Sequence, residues 1–149
     1  MVQRKIASSI QVRDHIFGEE CFWNVSKNVG YGYQNLKSDV MLVQYFLNCS
    51  PYGYNLVVDG KFGGKTWNAI KDFQNDFKGR KADGMISSIS GDKLRGSTSG
   101  SIYTILDLNQ HYRRKCPQYF NDISKDPFLP TPLRLHFAVP DWIFDNGVC

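Results

Sequence analysis

The stretch "VVDGKFGGKT", Val57 to Thr66, decides how the chain is read. It has the outline of a phosphate-binding loop: a β-branched pair runs into glycines and ends in Lys65-Thr66. Such a loop needs four residues between its first glycine and the Gly-Lys-Thr ending, so that successive backbone N–H groups wrap the phosphates. Counting back from Gly64, that first glycine falls at position 59, which is Asp59. Gly60 leaves only three intervening residues, and a carboxylate at the head of the loop repels the anion to be cradled. The stretch is therefore an Asp-Gly turn followed by a helix start.

Helical patterning flanks that turn. On its N-terminal side Ser38 is placed to cap a helix, with Asp39 in the first turn and Val40, Val43, Phe46 and Leu47 on one stripe. Pro51 and Gly53 in "NCSPYGYN" end that helix, and "NLVV" leads on as a short extended piece. On the C-terminal side a second helix begins near Gly63-Gly64, with Thr66, Ala69, Ile70, Phe73 and Phe77 as its buried face. It runs to "KGRK"; a second turn follows at Asp83-Gly84, and "MISSISGDKL" is expected to form a short third helix capped by Ser87.

The pattern repeats. "VQYFLN" leads to "VVDGKFGGKT" as "FQNDF" leads to "ADGMISSIS": an apolar-Gln pair, a connection, an Asp-Gly turn, an apolar residue two positions on, and a helix start. The connection from Gln44 to Asp59 spans fifteen residues and that from Gln74 to Asp83 nine. Gly60 and Gly84 allow a turn backbone that a Cβ would strain, while Asp59 and Asp83 can fold back onto nearby N–H groups.

The segment "SDVMLVQYFLN…VVDGKFGGKTWNAIKDFQNDF…ADGMIS" resembles the peptidoglycan-binding domain found beside many cell-wall hydrolases. That family's pattern is a V-Q-x-x-L helix, D-G-x-[FY]-G-x-x-T, A-[VI]-x-x-F-Q and a second D-G-x-[IV]. Val43, Gln44, Asp59, Gly60, Phe62, Gly63, Thr66, Ala69, Ile70, Phe73, Gln74, Asp83, Gly84 and Ile86 fall on it. The resemblance covers roughly Val29 to Leu94. It implies a mainly α fold: a compact three-helix bundle with an internal two-fold repeat, with a short N-terminal extension and a C-terminal helix with a loop-rich tail. Three segments are expected: 1–28 as extension, 29–95 as the module, and 96–149 as linker, further helix and Pro-rich tail packed on the same domain. Asp59, Gly60, Gly63, Thr66, Phe73, Gln74, Asp83 and Gly84 are read as builders of the fold. The chain departs from the family at Gly64 and Ser88, where a proline is usual, and at Gly91, where a bulky aromatic is common; both helix starts are expected to be looser.

A ligand surface is expected between the helices, where small molecules lodge. Tyr52, Tyr54, Phe62, Lys65 and Trp67 surround the loop that would edge it. The aromatics suit stacking on sugar rings, Lys65 suits a peptide carboxylate, and Trp67, just off the buried stripe, is the leading candidate. The function implied is non-catalytic recognition of peptidoglycan, its peptide stem or the adjoining sugar. The alternative is an adaptor or cargo-associated protein of a contractile, type VI-like secretion system, meeting a protein partner through the apolar tail "DWIFDNGVC".

The rest of the sequence narrows other classes. At 149 residues, 42% hydrophobic and 21% charged, it suits one globular domain, and no apolar run is long enough to span a bilayer. A net charge of +4 suits an anionic polymer, but the basic residues are scattered apart from "HYRRKC", read as a solvated helix face, so nucleic acid is not expected. "MVQRKIASSIQVRDHIF" lacks a continuous apolar core, so no signal peptide is read; synthesis in the cytoplasm is expected, with export to the envelope by a non-classical route if wall is bound. On that ground Cys21, Cys49, Cys116 and Cys149 are expected as reduced thiols, and with His15, His111 and His136 they show no metal-ligand spacing. No cofactor, metal or catalytic residue is assigned. Glu19-Glu20 with Asp39 or Asp14 is the carboxylate set a wall hydrolase would have to use, and neither flank is long enough for a usual hydrolase domain.

In the flanks, "IQVRDHIFGEECFW" reads as a strand or short hairpin, "GSTSGS" (Gly96 to Ser101) as a linker, "IYTILDLNQHYRRKC" as a helix, and "KDPFLPTPLRLHFAVPDW" as an extended wrap.

Overall fold

The computed structural model describes residues 2–76, 82–90, 93–96 and 100–137. Seven elements follow in order: β1 (Gln3–Ile6), α1 (Ile10–His15), β2 (Cys21–Asn24), α2 (Lys37–Cys49), α3 (Gly64–Asn75), α4 (Thr104–Lys115) and α5 (Thr131–Phe137), with 3-10 turns at Pro117–Tyr119 and Ile123–Lys125. The fold is mostly helical with one small sheet, in which β1 and β2 pair antiparallel with Arg4 opposite Trp23.

Helix α2 is the centre. Ten of its residues are buried, because α3, α4 and α5 all pack on it. Ser38 is not its cap: the helix starts at Lys37, Leu36 stands at the N-cap without a side-chain bond, and Ser38 lies in the first turn. Asp39 keeps its place there, but its carboxylate, fully buried, accepts from Ser26 N–H, Ser26 Oγ–H and Lys27 N–H, each at 3.0 Å. Tertiary demand has drawn the acid away from a purely local role.

Helix α3 follows its predicted stripe, with Thr66, Ala69, Ile70, Phe73 and Gln74 buried. Phe77 and "KGRK" lie outside the described residues. The expected third helix does not form where it was placed. Residues 87–90, 93 and 94 carry no helix, and Gly91 lies outside the described residues. Instead Val29 and Ile86 form an antiparallel bridge, and the buried Asn24 side chain bonds both the N–H and the C=O of Ile89. Pulled into strand-like pairing, this segment cannot also close helical turns. The next helix is α4, starting at Thr104.

The flanks are integral to the core. Trp23 is fully buried, its Nε1–H donates to the Phe120 carbonyl at 2.8 Å, and Asn109 of α4 accepts from its N–H and donates to its C=O. Phe46 of α2 stacks on Tyr112 of α4 with centroids 4.6 Å apart. One contiguous cluster runs from Val2 to Phe137.

Four expectations for the flanks change. Within "IQVRDHIFGEECFW", Ile10–His15 is helical, capped by Ser9 accepting from Val12 N–H, and only Cys21–Asn24 is strand. "GSTSGS" is closed at its base: Arg95 bridges Ile102, and Gly96 N–H reaches the Ser101 carbonyl at 2.9 Å. The proline-rich segment holds α5, since Pro132 sits in the first helical turn, where a missing N–H costs nothing. Cys21 is disulfide-bonded, contrary to the expectation of reduced thiols, whereas Cys49 and Cys116 are free and buried. In "HYRRKC", His111 and Tyr112 face inward while Arg114 and Lys115 remain exposed. The tail "DWIFDNGVC" lies outside the described residues.

Candidate functional site

The two Asp-Gly turns are organised by two glutamines. Gln44 projects from α2 into the first turn, where its Oε1 accepts from Asp59 N–H at 3.2 Å and Gly60 N–H at 3.0 Å. Its Nε2–H2 donates to Asp59 Oδ1, the Lys61 carbonyl and Thr66 Oγ1 at 3.1–3.2 Å. Gln74 of α3 does the same for the second turn: Oε1 accepts from Gly84 N–H at 2.9 Å, and Nε2 donates to Asp83 Oδ1, the Met85 carbonyl and Thr104 Oγ1. Asp59 and Asp83 also accept from the N–H two residues on, at 2.9 and 3.0 Å. Thr66 thus serves as acceptor for Gln44 rather than as a partner for first-turn N–H groups.

Both turn glycines are required. Gly60 has φ +75°, and a Cβ there would stand 2.9 Å from the Lys37 carbonyl oxygen; Gly84 has φ +73°, and its Cβ would fall 2.2 Å from Trp67 Nε1.

The first turn and the start of α3 wall a groove of about 310 Å³, lined by Leu56, Val57, Lys61, Phe62, Gly63, Gly64 and Lys65 over the Gln44–Asp59–Thr66 network. Gly63, the N-cap of α3, is extended and offers no side-chain cap, so the first-turn N–H groups and the positive end of the helix dipole open toward the groove. Two ammonium groups, Lys61 and Lys65, stand on its walls. The Asp59 carboxyl is held below its ordinary range, chiefly by the Lys61 N–H and also by Gln44, against an opposing effect of burial. It is an anion already bound within the turn. What the groove can take is an acceptor-rich or anionic group lying beside an aromatic ring.

The five expected ligand residues divide over two flanks of α3. Phe62 and Lys65 line the groove. Tyr52 and Tyr54 lie on the side of α3 that carries Asp72 and Asp76, with rings 5.8 Å apart. The Tyr54 hydroxyl donates to Asp72 at 2.8 Å. The neighbouring Asp76 carboxylate, then burial, lifts the Tyr52 phenol to about 12; burial and the Asp72 bond push the Tyr54 phenol up as well. The Tyr54 hydroxyl is committed, which leaves its ring face for contact. Trp67 occupies the opposite flank, half-buried over Gly84, with Lys71 Nζ 4.4 Å from its ring centroid. Lys65 and Trp67 are two residues apart, about 200° around a helix, so one small ligand cannot meet both faces directly.

Tyr31 was missed. It is exposed, yet its ring sits 5.0 Å from Phe62 and 5.8 Å from Trp67, and it joins the groove to the Trp67 flank. Asn35, with φ +52°, clamps the loop that carries it by bonding both the N–H and the C=O of Gly30 at 2.8 Å. The signal in the sequence was "GYGYQN", two glycine-tyrosine pairs before an asparagine able to adopt a left-handed turn.

Residues 37–88 match the family model described as "Putative peptidoglycan binding domain". The middle of this chain carries the peptidoglycan-binding pattern. The match covers less than half of the chain and stops two residues after Ile86, which bridges Val29, ahead of α4. No curated protein and no solved structure matches the chain. The matched segment contributes Gln44, the first turn, Phe62, Lys65 and Trp67; Tyr31 comes from outside it. No helix among the described residues is long and apolar enough to cross a membrane.

Proposed function

We propose that this chain binds peptidoglycan without cleaving it, holding a carboxylate of the peptide stem in the groove between the first Asp-Gly turn and the start of α3. The observation that carries this reading is the uncapped N-terminus of α3 opening between Lys61 and Lys65 beside the Phe62 ring. Helix dipole, free N–H groups and two cations favour a carboxylate, and Phe62 with Tyr31 offers apolar surface to the adjoining carbons or sugar. The paired glutamine networks support an internal repeat in which α4, with Thr104 in the place of Thr66, serves as the third helix.

Two of the four carboxylates that a hydrolase would have to use, Glu19 and Asp39, are engaged elsewhere, which favours a binding role. Glu19 bonds Arg113 and Asn121, Asp39 holds Ser26 and Lys27, and His15 bonds Asp107 at 2.8 Å. Burial raises the Cys49 thiol to about 12 and the Cys116 thiol above its usual value, away from the thiolate a nucleophile requires.

Co-sedimentation with isolated sacculi over a salt series tests the reading. Saturable binding that survives moderate salt, and falls about fivefold or more in Lys65→Gln through loss of a partly exposed ion pair, is the expected result. Binding abolished by salt alone, and equal in wild type and variant, would reduce it to attraction between a basic protein and an anionic polymer. No sedimentation at any salt would pass the reading to a protein-interaction adaptor, for which exposed Phe128 and Leu135 are the first contacts to examine.

A further inference from the structure

Tyr31 is held in place without being buried. It stays 59% exposed, yet its ring stands edge-on to Phe62 at 5.0 Å and tilted against Trp67 at 5.8 Å. Its hydroxyl reaches the start of α3, where a Cβ at Gly64 would stand 4.0 Å from it. It also lies ahead of the matched segment, 37–88. We infer that Tyr31 determines specificity at the groove: it packs on the sugar to which a peptide stem is attached, so that the chain prefers sugar-linked stems to free ones. The choice of a wall stem as ligand rests on the wall-binding reading above.

The first ground is the chemistry of the exposed side chain. The Tyr31 ring offers an apolar face, and its hydroxyl bonds no group among the described residues, whereas the Tyr54 hydroxyl is spent on Asp72. An apolar face with a free donor and acceptor at its rim matches a pyranose, which carries C–H bonds on its faces and hydroxyls around its edge. A peptide methyl group would use the face alone and leave the hydroxyl idle.

The second ground is rigidity. Asn35 bonds the N–H and C=O of Gly30 at 2.8 Å and the Tyr33 carbonyl at 3.0 Å, which closes the loop around Tyr31 from both ends. Just ahead of it, Val29 and Ile86 exchange backbone bonds of 2.8 and 2.9 Å. A side chain fixed in this way before binding loses little freedom on binding, so a single exposed ring can contribute to affinity.

The third ground is reach. In a wall stem the peptide is joined as an amide to the lactyl group of its own sugar, and the first carboxylate left free belongs to the second residue. At most about 7 Å of peptide, with the lactyl link, therefore separates that carboxylate from the sugar. The aromatic surface that begins at Phe62 in the groove wall reaches Tyr31 in 5.0 Å and Trp67 in a further 5.8 Å. A second-residue carboxylate held between Lys61 and Lys65 thus leaves its own sugar within range of Tyr31.

The test is calorimetric titration of the full chain with two ligands. One is N-acetylmuramoyl tripeptide, with L-alanyl-γ-D-glutamyl-diaminopimelate on the lactyl group; the other is the same tripeptide N-acetylated, which keeps the first amide and every carboxylate but lacks the sugar. Wild type is expected to bind the sugar-linked form about threefold to tenfold more tightly. Tyr31→Ala should erase that preference, and Tyr31→Phe, which keeps the ring, should retain at least about a twofold preference. Each variant must keep the wild-type unfolding transition. Equal affinity of wild type for the two ligands, or a preference of wild-type size in Tyr31→Ala, would overturn the inference. Lys65→Gln separates it from the reading beneath it. If the acetylated peptide binds and weakens in Lys65→Gln while the sugar adds nothing, the role of Tyr31 falls and the groove stands. Failure of both ligands to bind overturns the role of Tyr31, and sacculi that also leave the protein in solution overturn the groove.

Discussion

At the residue scale, the fold turns on amides that satisfy backbone groups no secondary structure reaches. Gln44 and Gln74 are almost wholly buried, and each makes the bonds that a tight turn cannot make with itself. Their placement in the pattern was readable from the sequence, because an apolar-Gln pair preceded each Asp-Gly turn. That Thr66 and Thr104 would be their common acceptors was not readable, since Thr104 lies thirty positions from Gln74. Replacing Gln44 with Met keeps the volume but strands the N–H groups of Asp59 and Gly60. We expect Gln44→Met to lower unfolding stability by about 2–3 kcal/mol in urea titration. A loss under 0.5 kcal/mol would mean that water replaces the amide without cost.

At the element scale, α3 shows how a start that looks weak can serve binding. Proline at its first position would pre-set the backbone, and Gly63 before it is already extended, as a residue before proline should be. A side chain at Gly64 meets only the Tyr31 hydroxyl, at 4.0 Å. Gly64→Pro is therefore expected to stabilise the fold by about 0.5–1 kcal/mol while removing one N–H donor from the groove. The measurement pairs thermal unfolding with sacculus binding: higher stability and weaker binding together fit the carboxylate reading. Higher stability with unchanged binding would show that this N–H is not used. The chain's departure from the family proline, first read as a looser helix start, then has a functional sense. The misplaced third helix has an equally local cause. "MISSISGDKL" has helical letters, but Asn24 and Val29, more than fifty residues upstream, offer Ile86 and Ile89 backbone partners that a helix would refuse.

At the scale of the whole molecule, the segments flanking the matched region, 2–36 and 104–137, complete the core. Trp23 joins β2 to α4 through Asn109, to the 3-10 region through Phe120 and to α5 through Phe137, whose ring lies 5.4 Å away. Arg4, buried opposite it in the sheet, stacks its guanidinium 4.5 Å from the Trp23 ring and bonds Asn121; burial lowers its pKa to about 10, with Glu19 pulling the other way. Trp23→Phe leaves the Phe120 carbonyl unpaired and a void beside α5. A loss of about 2–4 kcal/mol is expected, in one transition shared by all regions. Amide exchange resolves this: if α2 and α3 keep their protection while β1, β2 and α5 open first, the flanks are a separate cooperative unit.

What the sequence determined by itself was local and periodic. The two Asp-Gly turns, the apolar stripe of α3, the helix over Thr104–Lys115 and the peptidoglycan-binding pattern rest on spacing within a few residues, where backbone geometry leaves little choice. What the tertiary structure decided was everything that depends on a distant partner. The strand-like course of Ile86–Ile89, the disulfide at Cys21 and the helical turn in the proline-rich segment are of this kind. So is the role of Tyr31, whose value lies in rings thirty and more positions away. Periodicity tells a chain which side of an element to bury; only packing tells it which surfaces are left to meet a ligand.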